Sequence, residues 1–77
     1  MKEIEVFTEL TAPPLYDFFI DRQGVYTPMD NVPPPAEGIT QVVCEGETLN
    51  SRQLVAISVL ARKLKAEIHY FTEAPSY

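Results

Sequence analysis

Apolar and polar residues alternate through residues 3–10. Ile4, Val6 and Leu10 share one parity, and Glu3, Glu5, Phe7 and Glu9 share the other. A period of two marks a strand with one buried face. Pro13 and Pro14 end it, because proline cannot donate to a sheet ladder. Residues 15–21 alternate again, with Tyr16, Phe18 and Ile20 against Leu15, Asp17, Phe19 and Asp21. The D-R-Q-G run at 21–24 suits a type I turn closed by a left-handed glycine, which predicts a hairpin returning through residues 25–27. Residues 28–38 hold four of the seven prolines. They read as a proline-rich loop with a short polyproline II run at Pro33–Pro35, a stiff connector before it is a ligand for an aromatic groove. In residues 39–45 the central Val42, Val43 and Cys44 are continuously apolar, the pattern of an inner strand covered on both sides.

The period then lengthens to that of a helix over about residues 51–65. Asn50 is an N-cap, and Gln53 completes a capping box. Leu49 and Leu54 are placed for a hydrophobic staple, and Arg62, Lys63 and Lys65 sit where the helix dipole favours cations. Gln53, Leu54, Ile57, Leu60, Ala61 and Leu64 gather on the core side. A last strand follows at 67–73. The predicted fold is α+β: a mixed, mostly antiparallel sheet of four to five strands in the order ββ(β)βαβ, with one long helix packed on one face. Residues 39–73 form a strand–helix–strand unit whose two strands run parallel.

One pattern goes beyond fold. Residues 3–9, E-I-E-V-F-T-E, return as E-I-H-Y-F-T-E at 67–73, with five of seven positions identical. One helix covers only one face of a sheet, so the apolar parity turns toward it. The other parity then carries Glu3, Glu5, Phe7 and Glu9, joined by Glu67, His69, Phe71 and Glu73 from the last strand and by Asp17, Phe19 and Asp21 from the second. Seven of the 11 acids would line this face, while Arg52, Arg62, Lys63 and Lys65 lie on the helix behind it. Phenylalanines left among like charges form an apolar patch of the kind that marks a contact site. The plainer reading is that the acids only solubilise the sheet and discourage edge pairing.

The helix offers a second contact. Val55 and Val59, flanked by Arg52 and Arg62, stand opposite the core side. Two β-branched residues on a polar stripe suit a symmetric helix–helix homodimer or a groove on another protein.

Length and charge narrow the function. Seventy-seven residues make a single domain, 1–77, with one modest core. The lone cysteine excludes an internal disulfide, and Cys44 with His69 falls short of any metal-binding spacing, so neither metal nor cofactor is expected. The alternating, acidic N-terminus lacks a signal peptide's pattern, and no stretch reaches the roughly 20 apolar residues of a membrane span. A cytoplasmic setting is therefore expected. A net charge of −5 opposes direct nucleic-acid binding, although carboxylates can mimic phosphates at another protein's nucleic-acid site. Glu45 and Glu47 at the strand-to-helix turn would repel a phosphate, and no phosphate-binding glycine motif accompanies them.

The expected function is non-enzymatic: a small regulator or inhibitor that binds a larger protein with a basic surface. The partner-binding residues would be Glu5, Phe7, Glu9, Asp17, Phe19, Asp21, His69, Phe71 and Glu73. Arg52, Val55, Val59 and Arg62 would make the dimer or second contact. One alternative is a structural subunit of an enzyme complex. Another is a small enzyme using Cys44 as nucleophile and His69 as base.

Overall fold

In the computed structural model, residues 2–8, 15–29 and 38–70 are described. The elements are β1 (Glu3–Thr8), β2 (Phe18–Ile20), β3 (Tyr26–Pro28), β4 (Ile39–Cys44), α1 (Ser51–Leu64) and β5 (Glu67–Tyr70). They form one five-stranded mixed sheet, in the order β3-β2-β4-β1-β5, and one helix. The class is α+β, as the patterning predicts. Much of the proline-rich 28–38 loop lies outside the described residues, as do Glu9, Phe71 and Glu73.

Strand direction differs from expectation. Only β2 and β3 pair antiparallel, whereas β1–β4, β1–β5 and β2–β4 are all parallel. The sheet is thus mostly parallel. β4 and β5 run parallel, as a strand–helix–strand unit requires, but β1 lies between them rather than outside. The apparent contradiction lies in β1. A central parallel strand is usually apolar on both faces, because helices cover both sides. Here the one helix among the described residues leaves β1 alternating like an antiparallel strand, and alternation carries no information about direction.

The side-chain parity holds. Ile4, Val6 and Thr8 are buried in register with Thr40, Val42 and Cys44, and Phe18 and Ile20 continue the same face. All of these but the two threonines join Leu49, just before the helix, and Ala56, Ile57, Leu60 and Ala61 of α1 in one cluster. Tyr16 departs from the pattern. β2 starts only at Phe18, so alternation does not reach residue 16, and the Tyr16 ring lies 6.5 Å from that of Phe19 rather than in the core cluster. Tyr70 is also more exposed than its parity implies, at 40%, because β5 is an edge strand.

The helix matches its sequence signals closely. The Asn50 side chain accepts from Gln53 N–H at 2.8 Å, and Gln53 Oε1 accepts from Asn50 N–H at 2.9 Å. At the other end Lys65 adopts φ 54°, with Ala66 N–H donating to Ala61 O at 2.9 Å. This is a Schellman-type stop occupied by a residue with a Cβ, which costs about 1–2 kcal/mol in the left-handed region. Lys65→Gly should therefore raise stability by about 0.5–1 kcal/mol and the thermal midpoint by several degrees. An unchanged or lower midpoint in a calorimetric scan would contradict this account of the helix end.

Candidate functional site

The helix-free face of the sheet presents in-register rows. Phe19 and Phe7 both pair with Val43, so Phe19, Val43 and Phe7 cross three adjacent strands, with Thr27 beyond Phe19. The next row is Gln41, Glu5 and His69, and the third is Ile39, Glu3 and Glu67. Val43 is only 2% exposed, and Phe7 and Phe19 are half-buried. The rings therefore flank Val43 rather than standing free in water, and they lie on the side of the sheet away from the helix.

The acids on this face divide by what they already hold. Asp17 Oδ2 accepts the Gln41 backbone N–H at 2.9 Å. Its own N–H donates to Gln41 O at 2.8 Å, and its carbonyl accepts from Met29 N–H at 2.7 Å. Asp17 thus ties the entry of β2 to both neighbouring strands. Asp21 Oδ1 accepts from Gln23 N–H and Val25 N–H, each at 2.9 Å, which closes the hairpin turn in the manner of an Asx motif. These two carboxylates are committed to the backbone. Glu3, Glu5 and Glu67 carry the remaining acidic character among the described strands. Glu3 Oε1 lies 3.1 Å from His69 Nε2, and Glu5 Oε1 accepts from Gln41 Nε2 at 3.4 Å. Both are contacts of partly exposed carboxylates, the first an ion pair only when His69 is protonated, and both can be exchanged for an incoming cation.

Cys44 and His69 do not form a pair. Cys44 is in register with Thr8 on the helix-covered face, whereas His69 is in register with Glu5 on the other. A parallel ladder points paired side chains to the same face, so the sheet itself separates thiol and imidazole. Burial also pushes the Cys44 thiol up to about 12, the opposite of what a nucleophile needs.

A second surface lies behind the sheet. A groove of about 530 Å³ runs between the hairpin and α1, lined by Gly24 and Tyr26 on one side and by Arg52, Val55, Ala56 and Val59 on the other. Val55 and Val59 are 63% and 49% exposed. Periodicity picks out Arg52, Val55 and Val59 on one helix stripe. It does not reveal Tyr26 or Gly24, which come from a hairpin distant in sequence. The hairpin is held there by two cross-links: Asn50 Nδ2 donates to Arg22 O at 2.9 Å, and Arg22 N–H donates to Glu45 Oε2 at 3.1 Å. Arg62 is exposed on α1 but is not among the groove's lining residues.

No family model matches this chain, and neither a curated protein nor a solved structure shows a significant match to it.

Proposed function

We propose that this chain is a small, non-enzymatic protein-binding regulator or inhibitor that docks the helix-free face of its sheet on a basic surface of a larger protein. The observation that supports this reading is the Phe19–Val43–Phe7 row, set across three central strands and bordered by Glu5, Glu3 and Glu67. Half-buried aromatics provide rigid contact area at little entropic cost, and the carboxylates steer and orient the encounter. Three basic residues of α1 and Lys65 lie on the helical side, with no acid between Asn50 and Ala66, so the molecule is electrically two-sided. A basic partner surface is thereby directed to the sheet. Where that surface normally holds nucleic acid, the carboxylates take the place of phosphates.

Capture from native lysate at about 0.05 and 0.5 M salt tests the proposal, since ionic screening shortens the reach of the carboxylates. Two variants accompany the wild type, Phe7→Ser with Phe19→Ser, and Glu3→Lys with Glu5→Lys and Glu67→Lys. Both should lose the partner captured by the wild type, and wild-type capture should weaken at the higher salt. The charge-reversed variant changes half-buried Glu3 and Glu5 and exposed Glu67, none of them in the core cluster, so circular dichroism should show it folded. If it still captures the same partner undiminished, the sheet face is not the docking surface.

A further inference from the structure

We infer that the groove between β3 and α1 receives an extended peptide segment of a partner protein, aliphatic at its centre and carrying carboxylates about five residues apart. This inference is independent of the sheet-face reading, because the two surfaces lie on opposite sides of the molecule.

Three observations define the occupant. The first is a free backbone edge. β3 ends the sheet and, among the described residues, is paired only with β2. Val25 O and Met29 N–H bond inward toward the β2 side. By antiparallel alternation, the N–H and C=O of Tyr26 then point outward. Pro28 removes one donor but keeps its carbonyl. An extended segment can therefore add to this edge through the main chain.

The second observation is what such a strand would meet. Tyr26 pairs with Ile20 and so faces the helix side of the sheet, where its ring packs edge-on to Phe18 at 6.0 Å. A side chain on the added strand beside Tyr26 would face Val55 and Val59. Both are exposed and aliphatic, with Ala56 between them at the floor and Ser51 and Arg52 at the helix start. A branched aliphatic residue fits that site.

The third observation is charge. Arg52 lines the groove, and Lys63, one helical turn beyond Val59 and outside the lining, donates to Tyr26 Oη at 3.2 Å. Eleven residues apart, these two side chains project nearly along one line of the helix, about 16 Å from each other. That distance corresponds to about five residues of extended chain. Val59 lies between them, and no acid lines the groove among the described residues. A second copy of this chain is a poorer occupant. Symmetric pairing of the helices would set Arg52, Arg62 and Lys63 against the same cations, with no acid on α1 to offset them.

The probe is a fluorescein-labelled hexapeptide with glutamate first and last and valine and leucine between, compared with the same peptide ending in lysines. Fluorescence anisotropy at low salt should give saturable binding at least about tenfold tighter for the acidic peptide. Arg52→Glu should weaken binding by about tenfold or more, and Val59→Asp should abolish it. In proton–nitrogen correlation spectra, the peptide should shift the amides of residues 24–27 and 51–63. Equal affinity for the two peptides, no saturable binding, or shifts confined to the Phe7 face would each overturn the inference. So would self-association of the free chain in sedimentation that Val59→Asp abolishes, because the groove would then be a homodimer surface.

Discussion

Gln53→Leu should remove about 3 kcal/mol of folding stability. Gln53 is fully buried, and each end of its amide has a specific task. Oε1 accepts the Asn50 backbone N–H at 2.9 Å, and Nε2 donates to Glu45 O at 2.8 Å. Leucine fills similar space but leaves one donor and one acceptor without partners near the first turn of α1. A stranded buried polar group costs about 1–3 kcal/mol, so two outweigh any gain from the added apolar surface. A chain of this size is expected to have about 4–12 kcal/mol of stability in all, so the loss is a large fraction. Urea unfolding followed by circular dichroism measures it. Gln53→Glu keeps the acceptor for Asn50 but, when ionised, buries a charge and sets its second oxygen against Glu45 O, so at neutral pH it should be at least as destabilising as leucine. A loss below about 1 kcal/mol for Gln53→Leu would show that solvent reaches these backbone groups and that the junction is looser than described.

Gly24→Ala should be comparably damaging, and more so than Gly46→Ala. Both glycines have positive φ, +83° and +100°. An L residue in that region costs on the order of 1–2 kcal/mol at either site. They differ in what a methyl group would strike. At Gly24 the new Cβ would lie 2.6 Å from Arg52 O and 3.0 Å from Arg52 C, both atoms of the helix backbone. At Gly46 it would meet Arg22 Nη2 at 2.8 Å, the far end of a flexible side chain that can swing into solvent. Relief at Gly24 requires the hairpin and the helix to part, which also breaks the Asn50–Arg22 bond. The total loss at Gly24 should reach about 3 kcal/mol, with about 1–2 kcal/mol at Gly46. Equal losses would mean that the hairpin does not pack tightly on the helix. The Gly24→Ala chain, if still folded, should also bind the acidic hexapeptide poorly, because its groove would have lost one wall.

These predictions centre on the junction of the hairpin turn, the β4–α1 loop and the first turn of the helix. The chain there brings together residues from 21–24, 45–50 and 51–56, and the three segments hold one another through Arg22, Glu45, Asn50 and Gln53. The apolar groove is a consequence of that junction. The same cross-links that satisfy the backbone keep Tyr26 beside Val55 and Val59.

Local chemistry alone determines several features. Asn50, Gln53 and the run of apolar positions from Leu54 to Leu64 specify the helix and its buried side, because capping and period act within a few residues. Asp21 and Gly24 specify the hairpin turn for the same reason. The parity of Ile4, Val6, Phe18 and Ile20 specifies which side faces the helix, because neighbouring strand residues must point opposite ways. Tertiary structure alone decides that β1 enters between β4 and β5, that most pairs run parallel, and that Cys44 and His69 end on opposite faces. It also commits Asp17 to a backbone N–H and sets Tyr26 opposite Val59. Those outcomes depend on contacts between residues far apart in the chain, and an alternating strand offers the same pattern of side chains to a neighbour running in either direction.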